Sequence, residues 1–218
     1  MSAEDDLPQE QQLALAYARP EHRPLIEAML RLDRSLGRSV AQASEPIVGQ
    51  LRLAWWRDAL GAAPDKRPQG NPVLDLLSQK FGAGTARLQP LVDGWEALLL
   101  AESLDEEAIA PFLAGREAAW LAVALLIDPA SDEKQVRTAA RRWASGDLLA
   151  GLGDADERRA VMDMAKRGPT DRQVLPRSLR PLAVLAALSD RAIARGGQPL
   201  LGDRMAALVA LRSGMFGR

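Results

Sequence analysis

The sequence predicts an all-α, single-domain helical bundle of about nine or ten helices. Along most of the chain, apolar residues recur at spacings of three and four, as on one face of a helix. No segment alternates apolar and polar residues over the length of a strand. Glycine and proline fall between the periodic segments, and no long linker divides the 218 residues into two domains.

The first half of the chain contains five predicted helices. The second of them carries a continuous apolar stripe at helical spacing. Its members are Leu25, Met29, Leu32, Leu36 and Val40. We expect Ser44 to cap the third helix, with Pro46 in its first turn. The five helices cover residues 11–17, 24–42, 44–61, 72–81 and 86–101.

The second half contains the remaining predicted helices. Ser103 and Ser131 are the expected caps of two long ones, separated by the break Asp128-Pro129-Ala130-Ser131. The most apolar run, residues 118–127, is too short to span a bilayer as a helix and indicates a buried core helix. The predicted helices cover residues 103–127, 131–152, 156–167, 178–195 and 203–214.

Composition excludes several classes of site. The chain has no cysteine, which excludes disulfides, thiolate metal sites and cysteine nucleophiles. Its single histidine, His22, lies between two prolines and is expected to be a solvated loop residue. The net charge is −1, which gives no sign of a nucleic-acid surface.

Residues 1–12 are acidic and polar and are predicted to form an N-terminal tail, leaving 13–218 as the helical domain. The tail has neither the basic start nor the apolar core of a secretory signal. We therefore expect a cytoplasmic location. A peripheral contact with a membrane stays open as an alternative.

The segment LRLAWWRDAL, residues 51–60, is the most distinctive part of the chain. Trp55 and Trp56 lie on adjacent helix faces, and Arg52 lies one turn from Trp56, within reach of stacking. This pattern predicts a central helix whose two tryptophans meet other helices. The simpler interpretation is a wide apolar face with arginines whose stems lie along it.

Residues 25–60 resemble the N-terminal part of the squalene/phytoene synthase family, most sharply in the Trp-Trp-Arg-Asp helix. Weaker likenesses follow at residues 91–99, 112–124, 141–152 and 175–181. The resemblance implies a bundle of the isoprenoid synthase type. In that family, magnesium held by two facing Asp-rich motifs helps ionise a prenyl diphosphate.

The Asp-rich motifs are missing here. In the first motif helix, the positions expected to carry paired acids hold Gly37, Arg38 and Ala41, and Asp33 is a lone acid one turn earlier. In the second, Asp147 is likewise alone. Chain length and missing acids both resemble the branch that contains the phytoene-synthase-like assembly factor of respiratory complex I.

Three functions remain open. The first is a non-catalytic family member that acts by binding, with a role in assembly of a membrane respiratory complex. The second is an active head-to-head prenyl transferase, with magnesium as its cofactor and Asp33, Asp58 and Asp147 as its catalytic acids. The third is a helical protein–protein interaction module. The sequence favours the first, and therefore no enzyme activity, no cofactor and no metal site.

The candidate binding residues are basic or aromatic. A prenyl diphosphate or a lipid head group is the expected ligand, and a membrane-complex subunit is the expected protein partner. The candidates are Arg34, Arg38, Arg52, Trp55, Trp56 and Arg57.

Overall fold

A computed structural model of the chain describes residues 6–168 and 174–217, which form helices, turns and loops without a strand. The predicted all-α, single-domain bundle is confirmed. Its helices are α1 (Gln9–Leu15), α2 (Arg23–Ala41), α3 (Pro46–Gly61), α4 (Pro72–Phe81), α5 (Gln89–Leu100), α6 (Glu106–Ile127), α7 (Glu133–Gly151), α8 (Ala155–Arg167), α9 (Arg180–Ala194) and α10 (Arg204–Phe216).

Helix α6 is the centre of the bundle. It packs against α5 on one side and α7 on the other, and α7 in turn packs against α9. Trp120 of α6 and Trp143 of α7 are fully buried and meet edge to face, with ring centroids 6.1 Å apart. Helix α2 joins this core through α4 and α5. The centre is therefore an apolar contact among several helices, as the 118–127 run predicted.

Two glycines bring the backbones of α5 and α6 into close contact. A side-chain carbon added at Gly115 would overlap the carbonyl oxygen of Pro90. One added at Gly94 would lie 2.9 Å from the Cα of Phe112, which is closer than packed atoms approach. This close approach fixes the position of α5 relative to α6 and hence of the side chains that follow each glycine, Trp95 and Arg116.

Among the described residues, α6 is the one helix long and apolar enough to cross a membrane. In its most apolar window, 61% of the residues are buried inside the bundle. Its apolar character is accounted for by packing against α5 and α7.

The predicted helix ends are within a few residues of the observed ones, but the predicted caps are wrong. Helix α3 begins after Glu45, and neither Glu45 nor Ser44 is seen capping it with a side chain. At the two long helices the caps are aspartates and not the predicted serines. Asp105 accepts a hydrogen bond from the Ala108 amide, and Asp132 accepts one from the Gln135 amide. Aspartate at these positions also has the favourable charge for a helix N-terminus.

The predicted tail and the predicted central helix also differ from the structure. Helix α1 begins at Gln9, and Leu7 is buried in the core, so the described part of residues 1–12 packs on the bundle. Helix α3 lies at the periphery on one side, where Ile47, Leu51 and Trp55 are exposed. Trp56 is buried and Trp55 is 39% exposed, so α3 is not the central helix that its two tryptophans predicted.

Replacing Asp105 with alanine should lower the free energy of unfolding by about 1 kcal/mol, because the Ala108 amide loses its acceptor. The matched control is Ser103→Ala, two residues earlier, which should change stability by less than about 0.5 kcal/mol. Urea denaturation followed by circular dichroism measures both. Equal losses in the two variants would mean that Ser103 is the cap after all.

Candidate functional site

A buried ion cluster joins three helices at the centre of the bundle. Arg116 of α6 lies between Asp33 of α2 and Asp147 of α7. Its Nη2 is 2.9 Å from Asp33 Oδ2, and its Nη1 is 2.6 Å from Asp147 Oδ2. The side chains of Arg116 and Asp33 are each 3% exposed, whereas that of Asp147 is 24% exposed. The two isolated acids of the sequence therefore share one guanidinium.

Aromatic rings enclose this guanidinium. The Cζ atom of Arg116 lies 4.4 Å from the ring centroid of Trp143 and 4.5 Å from that of Phe112, with Trp95 at 5.6 Å. These distances are in the range of cation–π attraction, which is strongest where water is excluded. Trp95 also donates from its indole Nε1 to Asp33 Oδ1 at 2.8 Å. Arg116 and Asp33 are thus satisfied by hydrogen bonds and shielded from solvent, whereas Asp147 is partly exposed.

The sequence of α2 makes room for this arrangement. Gly37 lies one helical turn after Asp33, on the same face. A side-chain carbon at Gly37 would come 2.9 Å from Cη2 of Trp95, so the absence of one lets the indole lie across α2 and reach Asp33. A larger residue at position 37 would therefore force Trp95 or α2 to shift.

The charges in the cluster stabilise one another. Burial raises the pKa of Asp33, and the Arg116 charge and the Trp95 hydrogen bond oppose that rise without cancelling it. Burial lowers the pKa of Arg116, but the charges of Asp33 and Asp147 outweigh it, so the pKa lies above the ordinary value. Arg116 stays a cation, and its charge opposes the protonation of the buried Asp33.

The residues present do not fit a magnesium ion. Magnesium needs carboxylate oxygens that are free to face it in octahedral geometry. Asp33 and Asp147 instead face a guanidinium that already carries the positive charge. In the described parts of the chain, no three acidic or histidine side chains form a group that could hold a metal. The third predicted acid, Asp58, lies exposed on α3 and is outside the cluster.

A second buried acid follows Arg116 in α6. Glu117 accepts from the Nε of Arg141 at 2.6 Å and lies 3.8 Å from Arg137, both on α7. Arg116 and Glu117 are consecutive residues of α6 with opposite charges, and both form ion pairs with α7. Together they fix the rotation of α6 against α7.

A cavity of about 540 Å³ opens beside the exposed edge of Asp147. Its apolar walls include Trp95 and Phe112 from the aromatic enclosure, and Leu148, Leu200 and Leu201. Arg34 of α2 and Glu10 of α1 supply the other charged side chains of the lining. Burial raises the pKa of Glu10, and the neighbouring Asp147 adds to that rise. The volume is in the range of small-molecule sites.

The other predicted binding residues are not near this cavity. Arg57 binds Asp93 and Glu96 of α5, at 2.7 Å and 2.6 Å from its Nη2. Its hydrogen bond to Asp93 raises its pKa. Arg52 and Trp55 are exposed on α3, Trp56 is packed in the core, and Arg38 contacts Ser35 on its own helix. Of the six candidates, the structure brings only Arg34 to the lining of the cavity beside Asp147.

Sequence reasoning missed Arg116, although a signal for it exists. Arg116 is the only basic residue of α6, and it lies in the middle of an otherwise apolar helix. A charge at such a position is buried only when acids neutralise it. Asp33 and Asp147, the two lone acids that the family resemblance singled out, are the partners of Arg116.

Comparisons with known proteins gave no match to a protein-family model, to a curated protein or to a solved structure. The likeness to squalene and phytoene synthases therefore stays a resemblance.

Replacing Arg116 with methionine should lower the free energy of unfolding near neutral pH by about 3–5 kcal/mol, because two carboxylates lose their counter-charge. Without the cation, the pKa of the buried Asp33 rises further above its unfolded value, so protonation relieves the penalty. The deficit relative to the parent chain should therefore shrink as the pH falls from neutral to about 4. Urea denaturation at both pH values measures it.

The matched control for this prediction is Arg57→Met, which removes an ion-paired arginine at the surface. It should cost no more than about 1 kcal/mol. A deficit of the Arg116 variant that stays constant with pH would contradict the assignment of ionised partners to this arginine.

Proposed function

We propose that this protein is a non-catalytic relative of the squalene and phytoene synthases that acts by binding. The observation that carries the proposal is the position of Arg116 between Asp33 and Asp147. These are the acids nearest to the places of the family's two Asp-rich motifs. A guanidinium supplies the positive charge there, and each of the two carboxylates forms an ion pair with it.

Magnesium-assisted ionisation would require the carboxylates of Asp33 and Asp147 to be released from Arg116. Freeing the carboxylates means moving Arg116 out of an enclosure of three aromatic rings. Removing one partner of a buried ion pair costs about 3–5 kcal/mol. Leaving-group departure also needs the cation next to the diphosphate from the start. The cluster thus supports a structural role for Asp33 and Asp147.

The cavity beside Asp147 is the proposed ligand site. Its leucine and aromatic walls suit an apolar chain, such as an isoprenoid or acyl tail, and Arg34 is the cation available to an anionic head group. Glu10 and Asp147 add negative charge, which disfavours a diphosphate that carries no metal. A lipid whose head group carries less negative charge than a diphosphate, such as a monophosphate, fits this balance better than a prenyl diphosphate.

The family resemblance also leads us to propose a partner and a location in the cell. The branch without Asp motifs includes an assembly factor of respiratory complex I, and we propose a comparable role here, with a membrane-complex subunit as partner and a cytoplasmic location. The cavity beside Asp147, which opens to the surface, favours ligand binding over a purely protein-binding module.

A combined turnover and thermal-shift experiment tests the proposal. The chain is incubated with radiolabelled farnesyl diphosphate, with and without magnesium, and we expect no product in either case. Melting temperatures are then measured with farnesyl diphosphate and with farnesyl monophosphate. We expect the monophosphate to raise the melting temperature by about 5 °C or more at about 100 times its Kd, without magnesium.

Arg34→Gln is the diagnostic variant and Arg52→Gln the matched control, because Arg34 lines the cavity and Arg52 is exposed on α3. The first should lose the thermal shift and the second should keep it. Product that requires magnesium would overturn the proposal in favour of the transferase. A chain that neither reacts nor shifts with either ligand would favour the protein-interaction module.

A further inference from the structure

Helix α10 packs on the bundle with its small residues inward and its large apolar residues outward. Ala206, Ala210 and Ser213 are fully buried against the rest of the chain. Five large apolar side chains are each between 45% and 57% exposed. We call them the α10 face: Met205, Leu208, Leu211, Met215 and Phe216. A surface helix of a globular domain normally shows the opposite arrangement, so the α10 face indicates an interaction surface.

A shallow groove continues the α10 face toward α9 and α7. Its volume is about 510 Å³, and Met205 and Leu208 form one of its sides. The floor is made of small apolar residues, including Ala139, Ala183 and Ala186. The apolar surface is therefore contiguous over three helices rather than a single exposed ridge.

Surplus positive charge surrounds this surface. Arg212 lies on α10 itself and is exposed, and Arg180 approaches Gly217 at the C-terminal end of that helix. Arg177 is exposed in the turn just before Arg180. None of the three arginines forms an ion pair with a residue in the described ranges. The acids close by are already engaged, Asp190 by Arg142 at 3.1 Å and Asp203 by Arg191 at 2.6 Å.

We propose that the α10 face binds the surface of an anionic lipid bilayer. Large apolar side chains on a helix at the surface insert into the boundary between head groups and acyl chains, and nearby arginines bind anionic head groups. Arg177, Arg180 and Arg212 supply that second component. The surface thus offers both the apolar area and the positive charge that peripheral membrane binding requires.

The charge distribution disfavours a second copy as the occupant. A symmetric dimer places the same patch against itself, which would bring two sets of unpaired arginines together. A bilayer with anionic lipids neutralises them instead. The proposed membrane contact goes beyond the binding role proposed for the cavity beside Asp147 and stands whether or not that cavity binds a ligand.

The test is co-sedimentation of the full chain with vesicles of equal parts phosphatidylcholine and phosphatidylglycerol, compared with vesicles of phosphatidylcholine alone. We expect binding to the first and little to the second. The double variant Leu208→Gln, Leu211→Gln should weaken binding by about tenfold or more. Arg212→Gln should weaken it by about fivefold, and added salt should reduce binding of the parent chain.

The matched control is the double variant Leu125→Gln, Leu126→Gln, which removes two equally exposed leucines at the end of α6. It should bind as the parent chain does, and circular dichroism checks that every variant is folded. Equal losses in both double variants, or no binding of the parent chain to either vesicle, would overturn the proposal. In the latter case, sedimentation velocity would show whether the α10 face joins two copies, and a monomer would leave an acidic protein partner as its occupant.

Discussion

The bundle depends on a single buried guanidinium that lies between two acids, one of them buried and the other partly exposed. Arg116 connects α6 to α2 through Asp33 and to α7 through Asp147, so three helices share one electrostatic contact. A buried ion pair contributes little net stability over apolar packing, but it strongly disfavours any arrangement in which one partner is left alone. The cluster therefore defines how these helices are placed more than how stable they are.

The close backbone packing of α5 and α6 makes this cluster possible. Gly94 and Gly115 allow the two backbones to approach so closely that a side-chain carbon at either position would overlap the backbone of the other helix. Trp95 and Arg116, the residues that follow them, are thereby held within reach of Asp33. Packing, hydrogen bonding and charge neutralisation support one another here. Such agreement between packing, hydrogen bonding and electrostatics is expected of a sequence that specifies one structure.

The helices could be predicted from the sequence because their signals are local. Apolar spacing and the positions of glycine and proline define α2, α4 and α6 to within a few residues. The exposure of Trp55 could not be predicted, because periodicity shows two adjacent apolar faces on α3 without showing which one meets a neighbour. The same holds for α10, whose larger apolar residues face outward.

The centre of the site was only half predictable. Asp33 and Asp147 could be singled out because the family resemblance places Asp-rich motifs on their helices. Their common partner could not, since Arg116 is 83 residues from Asp33 and 31 from Asp147 along the chain. A long-range pairing of this kind depends on how three helices are arranged, which periodicity does not describe. The cavity beside Asp147 likewise arises from loop and helix segments distant in sequence.

The contact between Gly37 and Trp95 bears on how such a chain could evolve. An acid introduced at position 37 would collide with the indole, and removing the indole would in turn take a hydrogen bond from Asp33. Replacing Arg116 first would leave buried carboxylates without a counter-charge. Either of these substitutions toward a metal-binding centre would therefore destabilise the fold, and the present packing resists such a change.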